Sequence, residues 1–171
     1  NSVAGLEYNF ATADNKLQGK TFYHQSFYPG AGMNAAAVSG SINYSTQYLK
    51  AGIDQSWIGS DYVAEAGYIR RTGFYEIAPA VTYLFYPSRS KRIISHGPGV
   101  ELNAIFDPEF TLTDRETELS YIIGWQNKSQ LTVSVEEQFV KLSNAFDPTN
   151  TGGEKLQAGE QFHWKNVRAG F

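Results

Sequence analysis

Stretch after stretch of this chain alternates apolar and polar residues with a period of two, and that rhythm confines it to β-structure. Leu6, Tyr8 and Phe10 oppose Glu7 and Asn9. Val38, Gly40, Ile42 and Tyr44 oppose Ser39, Ser41, Asn43 and Ser45. The same holds for Leu49, Ala51, Ile53 and Trp57, for Val100, Leu102, Ala104 and Phe106, and for Leu119, Tyr121, Ile123 and Trp125. Leu131, Val133 and Val135 continue it, and a last run sets Leu156, Ala158, Phe162 and Trp164 against Lys155, Gln157, Gln161, His163 and Lys165. Successive strand residues point to opposite faces, so each run defines one apolar and one polar face. No window carries a capped 3.6-residue pattern. The 11 Tyr, 11 Phe and 16 Gly against one Met suit strands and tight turns rather than helices.

Turn chemistry punctuates the runs at Asp14-Asn15, Pro29 to Gly32, Gly59-Ser60-Asp61, Pro87-Ser88, Gly97-Pro98-Gly99, Asn127 to Ser129 and Thr151 to Gly153. The longest connections are expected near Pro87 to Pro98 and Asn144 to Gly153. This spacing predicts about nine antiparallel strands joined up and down, each about 9–12 residues long, which is what a tilted strand needs to cross a bilayer. Strands of ordinary globular proteins average nearer five or six residues. The prediction is therefore an all-β fold: an antiparallel up-and-down transmembrane β-barrel, residues 1–171 forming a single segment of a larger barrel. The first and last residues lie inside strand-like patterns, in keeping with a portion of something longer. A barrel strand has one watery face, so the mean hydropathy of -0.37 and the lack of a run of roughly 20 apolar residues leave the barrel open. Aromatics near run ends (Phe27, Tyr28, Trp57, Tyr62, Tyr83 to Tyr86, Trp125, Trp164) are expected to form interface girdles.

Net charge is -3, without a long block of one sign, so nothing global points to nucleic acid. The chain has no cysteine, which removes thiolate metal sites, disulfides and cysteine nucleophiles.

The segment Tyr68-Ile69-Arg70-Arg71-Thr72-Gly73-Phe74-Tyr75-Glu76-Ile77-Ala78-Pro79 resembles the Arg-Arg-Thr-Gly and aromatic strand of a bacterial barrel family, domain of unknown function 5916. The similarity continues through Tyr86-Pro87, Gly99-Val100-Glu101-Leu102 and Asp114-Arg115-Glu116-Thr117-Glu118-Leu119, to a strand ending at Leu142. It covers residues 60 to 171 and departs from the pattern at Ser90 to His96 and at Asp114, where a Gly-containing turn is usual. The resemblance implies the central part of an outer-membrane barrel that, in longer members, follows a domain similar to family-9 carbohydrate-binding modules. It implies no established activity.

Candidate chemistry is sparse. His24 and Ser26 share a strand face, the spacing of a base and a nucleophile in an outer-membrane phospholipase, but no Asn-Gly-Arg follows Ser26. A girdle or lumen pair is the simpler assignment. His24, His96 and His163 lie on separate segments without metal-ligand spacing. Asp107, Glu109, Asp114, Glu116 and Glu118 form an acidic stretch broken by Arg115, which lacks EF-hand spacing and reads as a solvated turn. Arg70 and Arg71 cannot both face the lumen of a regular strand, so they belong at a rim or a bulge. They read as an ion pair with Glu65, Glu76 or Glu101, or as an anion site. Pro79 inside a strand-like run predicts an irregular strand. The expected function is that of a non-enzymatic outer-membrane barrel, porin-like, transport-associated or an envelope scaffold. It needs no cofactor, and outer-membrane lipid is its surroundings, with other barrel segments or envelope proteins as further partners. Two alternatives share the alternation: a soluble extracytoplasmic sandwich or barrel binding saccharide or a hydrophobic ligand, and an outer-membrane hydrolase using His24 and Ser26.

Overall fold

The computed structural model describes residues 2–64 and 71–171. Among them, nine antiparallel strands form one sheet in chain order: β1 (Ser2–Ala11), β2 (Leu17–Phe27), β3 (Ala36–Ser45), β4 (Leu49–Ile58), β5 (Phe74–Tyr83), β6 (Ile93–Phe106), β7 (Leu112–Trp125), β8 (Gln130–Lys141) and β9 (Gln161–Gly170). Each strand pairs only with its neighbours in the chain. β1 and β9 are unpaired on their outer sides, so the sheet is not closed. The strands run 10–14 residues, β6 and β7 exceeding the length expected from the sequence.

Register keeps the alternating pattern in phase across the sheet. Leu6 stands opposite Tyr23, which faces Val38, which faces Trp57, which faces Tyr75. A second row links Val81, Val100, Leu119, Val135 and Val167 from β5 to β9. One residue along each strand, Glu101, Glu118, Glu136 and Asn166 form a row on the other face. A one-residue slip anywhere would move a strand's apolar set to the polar side. The result is a single layer with one apolar and one polar face.

Nothing among the described residues covers the apolar face. Leu6 is 78% exposed, Leu119 56% and Val167 74%. The buried apolar residues are few: Ala35, Ala36 and Ala37 where β3 begins, Tyr62, Ala104 and Phe139. The polar face is the more crowded one, and Ser134 and Glu136 are buried there.

Irregularities fall where proline and glycine demand them. The β5–β6 ladder runs from Tyr75 to Ile77 and resumes at Ala80, skipping Pro79, while Pro79 still pairs with Ile53 of β4. A missing N–H is tolerated where the ladder is already broken. Gly97-Pro98-Gly99, expected as a turn, lies instead within β6. The ladder to β5 ends at Thr82 and Gly99 and returns as a single bridge between Phe85 and His96, so Pro98 sits in the gap. Gly97 is required there, because a Cβ at that position would collide with the backbone carbonyl of Tyr83. The last alternating run is shorter than its sequence suggests. Leu156 makes an isolated bridge with Phe146, Ala158 lies before β9, and β9 starts at Gln161. Val167 therefore sets the apolar phase of β9, and Phe162 and Trp164 stand on the polar face.

The two ends of the sheet differ. Connections at one end (residues 12–16, 46–48, 84–92 and 126–129) are five, three, nine and four residues long. Those at the other end (28–35, 59–73, 107–111 and 142–160) are eight, fifteen, five and nineteen. The short turns are locally specified: Asn15 and Lys128 take positive φ, and the Asn127 side chain accepts the Ser129 N–H. Aromatics mark both ends. Phe27, Trp57, Tyr75, Phe106 and Phe110 lie at the long-connection end, with Tyr75 6.2 Å from Phe106 and 6.3 Å from Phe110. At the other end Tyr83 lies 5.0 Å from Phe85, Tyr48 5.6 Å from Tyr86, and Trp125 6.0 Å from Phe171. Tyr62 and Trp164, expected in these bands, are respectively buried in a connection and on the polar face.

Candidate functional site

The polar face gathers the chain's chemistry. Asp54, Glu76, Glu101, Asp114, Glu116, Glu118 and Glu136 all occupy the polar phase of β4–β8, because each falls one residue out of step with its strand's apolar set. Glu101 stands directly opposite Glu118, and Glu118 directly opposite Glu136. Like charges facing each other across strands are destabilising unless water or counter-charges separate them. Part of the row is compensated. Arg168 Nη2 on β9 lies 2.6 Å from Glu136 Oε2, not aligned as a hydrogen bond, so charge holds the pair. The Gln138 amide donates to the other Glu136 oxygen. Glu136, 0% exposed, thus has a guanidinium at one oxygen and an amide at the other.

Further along the sheet, Asn103 Nδ2 on β6 donates to Glu76 Oε1 on β5 at 2.7 Å, and Ser56 Oγ on β4 donates to Glu76 Oε2 at 3.2 Å. A depression of about 290 Å³ opens over β4–β7, with Asp54, Glu101, Asn103, Glu116 and Glu118 among its lining. Basic residues on this face are Lys20, Lys50 and Arg168, with Lys20 3.4 Å from Glu7 at the far side of the sheet. The central strands thus present a field that favours cations over anions.

Arg70, and Glu65 among the carboxylates expected to pair with the two arginines, lie outside the described residues. Arg71 precedes β5 at the long-connection end, where its Nη1 meets Asp114 Oδ2 at 2.8 Å and its Nη2 donates to Thr113 Oγ1 at 3.2 Å. Thr113 Oγ1 donates in turn to Asp114. The partner is Asp114 rather than Glu76 or Glu101, because Arg71 sits beyond the ladder, beside the β7 bulge near Leu112, which brings Asp114 to the rim.

His24 and Ser26 share the polar face, as their spacing requires, but they are engaged elsewhere. The Ser26 hydroxyl donates to the Val63 carbonyl at 2.6 Å and accepts the Val63 N–H at 3.1 Å. His24 stacks on Phe22, centroids 4.6 Å apart, with Nε2 3.9 Å from Glu7. Ser26 thus anchors the β4–β5 connection to β2. His96 bonds the Tyr121 hydroxyl at 2.6 Å, and His163 packs on Phe139, both on the apolar face. The acidic stretch from Asp107 to Glu118 is divided by the fold. Asp107 accepts the Glu109 and Thr111 N–H groups in a turn, Asp114 holds Arg71, and Glu116 and Glu118 join the polar face. Among the described residues no group of three or more His, Asp or Glu is arranged to hold a metal.

Glu76, Glu101, Glu136 and Arg168 were not legible as a set. Each is visible as a polar-phase residue of its own run, but only the register lines them up. Comparison with protein-family models, with curated proteins and with solved structures returns no match.

Proposed function

We propose that this chain forms part of the wall of an outer-membrane transmembrane β-barrel, with the apolar face toward lipid and the polar face lining an aqueous lumen. The carrying observation is the uncovered apolar face: Leu6, Tyr8, Ile42, Tyr121 and Val133, which a soluble sandwich would bury, are all exposed. A contiguous apolar surface of this extent is a partner or membrane surface in a protein that stays in solution or lipid. Strand length supports the same reading. Ten residues at about 3.3 Å each, tilted by about 40°, rise about 25 Å, the height of a barrel's apolar band. Short turns at one end, longer connections at the other and aromatics at both follow the same architecture. The role is non-enzymatic: a porin-like or transport-associated wall whose acidic lumen favours cationic solutes, or a scaffold for envelope components.

The absence of cysteine makes the test clean. Single cysteines at Leu119, Ser120, Thr132 and Val133 are introduced, the protein is inserted into vesicles, and a hydrophilic maleimide is added. Ser120→Cys and Thr132→Cys, on the polar face and not buried, react, whereas Leu119→Cys and Val133→Cys are protected. Equal labelling at all four would overturn the proposal.

A further inference from the structure

The apolar face is free of Lys, Arg, Asp and Glu through all of β1–β6. Its ionisable side chains of those types are confined to one corner: Arg115 on β7, Glu137 and Lys141 on β8, and Lys165 on β9. Arg115 Nη2 lies 3.1 Å from Glu137 Oε1 and Lys165 Nζ 3.8 Å from Glu137 Oε2, so one carboxylate organises two cations. Lys141 lies on the same face, four residues from Glu137 toward the end of β8, without a carboxylate of its own among the described ion pairs. Lys165 projects outward, 72% exposed. Three cations against one anion leave the corner positive on a face that otherwise carries no Lys, Arg, Asp or Glu.

Place in the fold gives this corner a meaning. Lys141 ends β8, and Arg115 and Lys165 lie within four residues of the starts of β7 and β9, all at the long-connection end. On a lipid face, charges are costly near the midplane and tolerated at the interface, where long basic side chains extend to the headgroups. Guanidinium and ammonium groups on one face at that level match phosphate oxygens in charge and hydrogen bonding. We propose that this corner is a binding patch for phosphate-bearing lipid headgroups, holding an anionic lipid against β7–β9. This rests on the membrane reading above.

The test reads lipid enrichment at the patch. Trp57, Trp125 and Trp164 are replaced by Phe, and Gln161→Trp, paired with Lys141, becomes the reporter. Parallel proteins keep only Trp125, on the apolar face at the opposite end, or only Trp57, on the apolar face. Each is placed in phosphatidylcholine vesicles containing brominated phosphatidylglycerol or brominated phosphatidylcholine. At low salt the residue-161 reporter is quenched by the anionic lipid as though it were enriched about 5-fold, a preference that disappears near about 1 M salt. The Arg115→Gln, Lys141→Gln, Lys165→Gln protein loses it, and Trp125 never shows it. Equal quenching of the residue-161 reporter by both lipids overturns the patch, as does a preference that survives the triple substitution. If Trp57 is quenched by neither lipid, the membrane reading falls and the patch with it.

Discussion

Replacing Leu119 by Arg separates a lipid-facing wall from a water-facing one. Leu119 lies midway along β7, on the apolar face, between Val100 and Val135. Taken with water on both sides, its side chain is more than half exposed, and an exposed substitution away from special features changes stability by no more than about 0.5 kcal/mol. Facing the midplane of a bilayer, the same Arg costs about 2–4 kcal/mol. Phe27→Arg, on the same face but at the last residue of β2, costs about 0–1 kcal/mol in the interface. The assay is urea unfolding in phosphatidylcholine vesicles. With a urea dependence of about 2 kcal/mol per molar, Leu119→Arg lowers the midpoint by about 1–2 M, and Phe27→Arg by at most about 0.5 M. A Leu119→Arg midpoint within about 0.25 M of the parent refutes the lipid-facing assignment. So does an equal loss at both positions, because depth would then play no part.

Gly97→Ala should destabilise by about 1–3 kcal/mol in the same assay, since its Cβ meets the Tyr83 carbonyl rather than a movable side chain. Gly40→Ala, where the nearest atoms are at 3.7 Å, serves as the tolerated control. Ser26→Ala should cost about 1–3 kcal/mol and speed proteolysis in residues 59–64, because the Val63 N–H and carbonyl both lose a partner. Phospholipid turnover that vanished in this variant, with folding unchanged, would show Ser26 to be a nucleophile instead. Asp147, in the connection to β9, is held below the ordinary carboxylate range first by the Thr149 hydroxyl and then by the Thr149, Gly152 and Asn150 amides. A lowered pKa means that the ordered turn is fully stabilised above the ordinary carboxylate range and loosens as pH falls below it. Protection factors of the Thr149, Asn150 and Gly152 amides, taken relative to the intrinsic exchange rate at each pH, should therefore fall on acidification, and Asp147→Asn should remove that pH dependence.

The sheet's order was legible because alternation carries its own phase. Runs such as Val38 to Ser45 and Leu131 to Glu136 reappear as β3 and β8 with the expected faces. Pro79 interrupts a ladder, as its missing N–H requires. Three features were not legible. Gly97-Pro98-Gly99 has turn composition, but the gap in the neighbouring ladder lets a central strand hold it. The run from Leu156 to Trp164 alternates in sequence, yet pairing with β8 begins only at Gln161 and places Phe162 and Trp164 on the polar side. The carboxylate row of Glu101, Glu118 and Glu136 depends on cross-strand register, which local spacing cannot fix.

An odd number of strands in strict alternation has a directional consequence. β1 and β9 run the same way along the sheet, because each strand reverses the one before it. Were these two edges to meet, the seam would be parallel, with slanted and slightly weaker bonding, in a sheet that is otherwise entirely antiparallel. A strand able to continue the existing pattern at either edge must run opposite to both, and a closed antiparallel wall containing these nine holds an odd number of others. Direction alone thus restricts what can join the ten-residue rows of unpaired backbone groups at Ser2–Ala11 and Gln161–Gly170.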